Sequence, residues 1–462
     1  MPPGPESRIG ADIIKVQGGG KRELSQNVRM TRPWNPLLEG PLAEQASRIV
    51  RDIAEALPAA AMREGRPPAS LASGLAGQAL FYSYLALSTS DEAAADHAAE
   101  LVEQAADDLA NTPMAPNLYS GFPGVAWMME HLQGRLFESS GADAGDDPIL
   151  EIDEALLAPL SRTPWVGEYD LIGGLAGLGV YALERLPRPG AAALLEQVVH
   201  RLAELAEEMP DGGTAWYSPV ERIPEWQREF HPNGYYNLGV AHGLPGVLPI
   251  LAGACAAGVA VERARPLLDS SVRWLLARRL GPESPSCFAG SFHPDQPPSP
   301  TRLAWCYGDP GVAATLLAAA RAVGEREWER QALDIARAAA ARLDTSAYVR
   351  DAGLCHGAAG LGHLFNRMFQ ETGDEELGQA ARFWFERTFG FRTEGEGVAG
   401  FQAFDPSPEG EPGWRADAGF LEGTTGVGLA LLAAVSNVEP AWDRVLLVSL
   451  PPAANLSTAR ED

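Results

Sequence analysis

The chain has 462 residues, 46% of them apolar, with 49 glycines, 37 prolines and a formal charge of −25. That length supports a large core, and the Gly and Pro content stays below that of a low-complexity chain. Such acidity argues against non-specific binding to nucleic acid or anionic membranes and favours basic or neutral partners.

Residues 1–35 have no apolar signal core and are expected to be a flexible segment. Beyond them a short pattern recurs seven times: Gly74-Leu-Ala-Gly77, Gly121-Phe-Pro-Gly124, Gly174-Leu-Ala-Gly177, Gly243-Leu-Pro-Gly246, Gly308-Asp-Pro-Gly311, Gly357-Ala-Ala-Gly360 and Gly423-Thr-Thr-Gly426. Each copy opens a run that is apolar all round, such as residues 312–318 or 427–433. A helix without a polar face must be buried on every side. Between the copies lie amphipathic, alanine-rich segments at 91–110, 191–209, 262–280, 325–343 and 374–389. Buried helices alternating with surface helices predict an all-α fold, an α/α toroid or double α-barrel. It has about seven inner and seven outer helices over residues 36–449, then a flexible tail at 450–462. The glycines are expected to let neighbouring inner helices crowd together, with Pro tolerated in a first turn. Residues 281–300 and 392–414 read as Pro/Gly-rich connections. The uncharged run at 235–261 is broken by Pro245, Pro249 and glycines, so no membrane insertion is expected.

If every inner helix begins with the same turn, residues just ahead of each first glycine ring one mouth of the barrel. Position −1 holds Ser73, Ser120, Gly173, His242, Tyr307, His356 and Glu422. Position −2 holds Cys306 and Cys355 in consecutive repeats, two of the four cysteines in the chain. Four cysteines are too few for a disulfide framework, and they read as thiols of a reducing compartment or as metal ligands. Singly, a buried thiol or a core histidine is the commoner meaning. In register, Cys306, Cys355 and His356 supply three soft or borderline ligands with a fourth position open, as a catalytic zinc site needs. Adjacent Cys355 and His356 can share one ion because they sit in a turn rather than mid-helix.

The remaining rim residues admit two readings each. His242 suits general acid/base work or a structural hydrogen bond. Asp170, four before Gly174, faces the mouth or caps the coming helix. Arg302 balances anionic charge or lies on the surface. Tyr307 is a hydroxyl donor or a core aromatic, and Glu422 is a rim carboxylate without an assigned use. His363 reads as packing. Cys255 and Cys287 fall outside the frame, and His97, His131, His200, His231 and His293 receive no role.

The strings Gly239-Val-Ala-His-Gly243, Trp305-Cys-Tyr-Gly-Asp-Pro-Gly311 and Leu354-Cys-His-Gly357, in that order, resemble the lanthionine cyclases of the LanC-like family. The resemblance spans roughly residues 40–440. It implies one zinc ion on Cys306, Cys355 and His356, proton transfer by His242 and Asp170, and support from Arg302 and Tyr307. The implied reaction adds a cysteine thiolate of a dehydrated, leader-bearing precursor peptide to dehydroalanine or dehydrobutyrine, closing a thioether ring. The chain has no room for the dehydratase or kinase parts of fused members, so it resembles the stand-alone class I cyclases, which implies a separate dehydratase and an exporter as partners. The expected location is the cytoplasm, without nucleic acid or membrane insertion. Rival expectations are addition of glutathione or another thiol to dehydroamino acids, a prenyltransferase or terpene cyclase on a similar toroid, and a non-catalytic zinc-stabilised scaffold of a modification complex.

Overall fold

All seven Gly-x-x-Gly copies cap a helix in the computed structural model, which describes residues 34–64, 67–137, 147, 149–343, 347–405 and 413–452. The capped helices are α2 (Leu75–Thr89), α4 (Phe122–Leu132), α6 (Leu175–Arg185), α8 (Leu244–Ala257), α10 (Asp309–Val323), α12 (Ala358–Thr372) and α14 (Thr424–Val435). Packing runs from α2 through α4, α6, α8, α10 and α12 to α14 and back to α2, closing a ring. Seven outer helices lie among the described residues: α1 (Gly40–Glu64), α3 (Glu92–Asn111), α5 (Leu150–Leu160), α7 (Pro189–Leu205), α9 (Val261–Leu276), α11 (Arg326–Ala340) and α13 (Glu375–Gly390). α3, α7, α9, α11 and α13 each cover the inner helix that precedes them, α5 lies on α7, and α1 covers α14. The toroid is therefore closed by joining the first helix to the last. Trp34, inside the segment expected to be flexible, is buried and donates its indole N–H to Ala433 O at 2.8 Å; residues 1–33 and 453–462 lie outside the described residues.

The glycines act differently from the expectation of crowded helices. Their cap angles are extended, φ −136° at Gly74 and −112° at Gly121, so left-handed backbone is not the reason for them. The chain ahead of each cap instead curls back over the helix start. A Cβ on Gly74 would lie 1.8 Å from Pro68 O, and one on Gly311 would lie 2.1 Å from Trp305 O, contacts no side chain can make. The second glycine of a copy also receives a side chain of the preceding repeat's turn, as Gly124 receives Leu71 and Gly177 receives Leu118. What crowds is turn on turn. Backbone hydrogen bonds then stitch successive turns together: Ala72 N to Tyr119 O, Leu171 N to Ala241 O, Val240 N to Cys306 O, Trp305 N to Cys355 O, Cys355 N to Leu421 O and Phe420 N to Ala72 O. All seven turns thus sit at one end of the barrel.

The fold is not helical throughout. Four short strands, β1 (Ala206–Glu208), β2 (Thr214–Ser218), β3 (Tyr235–Asn237) and β4 (Ser291–Phe292), make one antiparallel sheet in that order. The sheet grows from the α7–α8 and α9–α10 connections, with Tyr217 opposite Tyr236 and Tyr236 opposite Phe292. A hairpin, β5 (Ala403–Asp405) and β6 (Gly413–Arg415), stands between α13 and α14. After α14 comes a buried 3₁₀ segment, Ala441–Leu446. Arg444 pairs with Glu184 near the far end of α6, Asp443 takes His363 and Arg367 of α12, and the turn residues Tyr119 and Trp305 donate to Val445 O and Leu446 O. Its partners come from all round the ring, which places it inside. No helix among the described residues is long and apolar enough to cross a membrane.

Candidate metal centre and its rim

The turn-to-turn stitching brings the two rim cysteines together. Cys306 N donates to Cys355 O at 3.3 Å, next to the Trp305 bond at 3.0 Å, so the position −2 side chains of repeats five and six share one side of the mouth. Ligand atoms of Cys306, Cys355 and His356 all lie within 4.8 Å of one another. Tetrahedral zinc bonds of about 2.3 Å to sulfur and about 2.0 Å to nitrogen require donor atoms roughly 3.5–3.8 Å apart, a small contraction from this arrangement. Two thiols and an imidazole are a donor set suited to that ion, and the three residues fit it.

The electrostatics favour a thiolate. The Cys306 thiol is held well below its usual range, chiefly by a hydrogen bond from Cys355, against burial and with help from His356 and the Arg302 guanidinium, whose Nη2 lies 3.9 Å from Sγ. Cys355, the donor in that bond, is raised well above its usual range by it and by partial desolvation. The positive ends of α10 and α12 start within three residues of these sulfurs. Burial pulls the His356 imidazolium down, but the carboxylate of Asp351 and the neighbouring Cys306 push it up to about 9. His356 Nε2 lies 3.5 Å from Asp351 Oδ2.

His242 and Asp170 form a second group on the same rim. His242 Nδ1 and Asp170 Oδ2 are 2.5 Å apart, and Asp170 Oδ1 accepts the Gly173 N–H at 2.7 Å. Asp170 thus faces His242 and braces the turn ahead of Gly174, but it does not cap the helix, whose first N–H groups take no bond from its side chain. The His242 side chain is 45% exposed while that of Asp170 is 10% exposed, leaving the far side of the imidazole open to solvent. Burial lowers the His242 pKa, yet the Asp170 hydrogen bond and charge outweigh it and the net shift is upward. Tyr307 stacks near His242 with ring centroids 6.3 Å apart, and its hydroxyl accepts from Asn237 Nδ2 at 2.9 Å. Burial raises that phenol well above its usual range, so it stays protonated.

Of the other singled-out residues, Glu422 lies close enough to His356 and Cys355 to act on their charges, and the rest fall elsewhere. Glu422 is engaged by Arg415 at 2.7 Å, with its carboxyl pushed up by burial. His363 is buried on Asp443, a packing role as expected. Cys255 and Cys287 are free thiols outside the cluster. Two residues without an expected role touch the site, Asp351 behind His356 and Asn237 behind Tyr307. A signal for them lay in the strings Asn237-Leu-Gly239, Asp351-Ala-Gly353 and Asp417-Ala-Gly419, each beginning six residues before a cap glycine.

Residues 67–447 match the family described as Lanthionine synthetase C-like protein. The chain belongs to that family. Among relatives of this LanC-like protein, the Nisin biosynthesis protein NisC of Lactococcus lactis subsp. lactis is 27% identical over 203 residues, 42% of this chain and 47% of NisC. The aligned part thus spans about half the length of that curated relative. A solved structure titled Nisin cyclase superposes with a TM-score of 0.67 at 20% identity, covering 88% of this chain and 97% of that one, which shows the toroid fold.

Proposed function

We propose that this LanC-like protein is a zinc-dependent lanthipeptide cyclase that adds cysteine thiolates of a dehydrated, leader-bearing precursor peptide to dehydroalanine or dehydrobutyrine. The observation that carries the reading is the convergence of Cys306, Cys355 and His356 on the same rim as the His242–Asp170 pair. The family and the relative NisC support the reaction class. A dehydratase acts before it and an exporter after it; the cytoplasm, a reducing compartment, suits its four free thiols.

Cys306, Cys355 and His356 would hold the zinc ion. Bound there, zinc lowers the pKa of an incoming thiol and keeps it at the site as a nucleophile. The sulfur lone pair forms the C–S bond at the β-carbon, and the π pair moves toward the carbonyl as an enolate. His242, its pKa raised by Asp170, delivers a proton to the α-carbon from its exposed nitrogen and is recharged by the proton that the thiol gives up to solvent. Asp170 fixes the tautomer by holding Nδ1. The Tyr307 hydroxyl, which accepts from Asn237, or Arg302 stabilises the oxygen on which charge grows.

Ring closure leaves the peptide mass unchanged, so the test counts free thiols by alkylation after incubating zinc-loaded protein with a dehydroalanine-containing cysteine peptide. Protection from alkylation that requires both zinc and His242 supports the proposal. Equal protection without the protein overturns it.

A further inference from the structure

The strings Asn237-Leu-Gly239, Asp351-Ala-Gly353 and Asp417-Ala-Gly419 fold alike. In each, the first side chain accepts the glycine N–H through Oδ1, at 2.9 Å for Asn237, 3.3 Å for Asp351 and 2.6 Å for Asp417. Each glycine lets the next repeat's turn approach: a Cβ there would meet Cys306 O at 2.5 Å from Gly239, Glu422 O at 2.7 Å from Gly353, and Ala72 O at 2.8 Å from Gly419. One side-chain oxygen therefore builds the turn in all three repeats. The second terminal atom is released for another task, and that task differs. Asn237 Nδ2 donates to the Tyr307 hydroxyl, Asp417 Oδ2 accepts from Arg415, and Asp351 Oδ2 lies 3.5 Å from His356 Nε2.

We propose that Asp351 is a positioning residue for the metal centre: its Oδ2 sets the tautomer and ring angle of His356, so that Nδ1 presents its lone pair between the two cysteine sulfurs. The inference rests on the reading of Cys306, Cys355 and His356 as a zinc site. Asp351 is 1% exposed, and Oδ2 is itself fixed by the Phe404 N–H at 3.1 Å. A Cβ on Gly357 would lie 2.5 Å from Oδ1, so the cap glycine makes the room that Asp351 occupies. A carboxylate behind a ligating imidazole fixes which nitrogen bears the proton and raises ligand basicity. Phe404 of β5 thereby acts on the metal centre through Asp351.

The test measures zinc affinity of the full chain by chelator competition under reducing conditions, together with the visible spectrum of the cobalt-substituted protein. Asp351→Asn keeps the Oδ1 turn bond, removes the charge and replaces the acceptor of the Phe404 N–H with a donor, and is expected to weaken zinc by about ten- to a hundredfold and to move the cobalt bands. Asp417→Asn makes the same change in an equivalent turn and is expected to leave both readouts unaltered. In a His356→Ala background, Asp351→Asn should cost nothing further. Wild-type affinity and spectrum in Asp351→Asn, or an equal loss in Asp417→Asn, overturn the inference, because the carboxylate would then serve only the turn. Where Asp351→Asn does not fold, Asp351→Glu carries the test: shifted cobalt bands support the inference and unshifted bands overturn it. A wild-type chain that binds no zinc at all would instead overturn the metal reading beneath it.

Discussion

Two histidines at opposite ends of the barrel hold a carboxylate with the same atom and meet opposite fates. At the turn end His242 Nδ1 faces Asp170, and at the far end His131 Nδ1 faces Glu184 at 2.8 Å. His131 is sealed, its Nε2 is occupied by the Tyr84 hydroxyl, and Arg135 and Arg444 crowd the same carboxylate. Burial, reinforced by those arginines, drives its pKa down to about 3. His242 keeps one side open to solvent, and the Asp170 carboxylate raises its pKa. A carboxylate partner alone therefore does not make an acid/base histidine. An unoccupied second nitrogen and the sign of the surrounding charge decide it.

The sharpest break at the turn end is Cys306→Ala, which is expected to abolish zinc binding and ring formation together, as read by metal analysis and thiol alkylation. His242→Ala is expected to retain zinc but slow ring closure by roughly 10²–10⁴-fold, the usual worth of a positioned proton donor; an unchanged rate removes histidine from the mechanism. His131→Ala should leave the rate of ring closure alone while lowering stability by roughly 3 kcal/mol, because it removes two buried hydrogen bonds and leaves a cavity. Denaturant unfolding beside a rate assay separates the two histidines. The smallest effect is on pH dependence, and its sign differs between them. His242 has a raised folded-state pKa, so its stabilising contribution is complete below the ordinary histidine value and is lost as pH rises through the raised one. Proton delivery fades over the same range, and Asp170→Asn should move that basic limb of the rate profile to lower pH. His131 is neutral when folded, so stability falls as pH drops from about 6.5 toward about 3, where the unfolded chain alone takes up the proton.

Much of the rim was legible because seven turns repeat one backbone geometry, and repetition places rare residues in register. Cys306, Cys355, His356 and His242 each sit one or two residues before a cap glycine, close enough to share its frame. Asp351 and Asn237 sit six before it, where the sequence varies too much for a lone acid or amide to stand out. Their common feature is the glycine two residues later, which matters only because the next turn must pass over it. α5 escaped notice because it is just 11 residues long, and α1 carries Pro58 inside it. The strands are two to five residues long, too short for alternation to register. The Ala441–Leu446 segment has no period at all. Its place follows from the partners that Tyr119, Trp305, Glu184 and His363 find when the ring closes.

That inner segment means the middle of the ring is filled by the chain itself, held by α6, α12 and the turns of the second and fifth repeats. Under the proposed function a peptide would therefore meet the barrel at its turn end, where His242 is open to solvent.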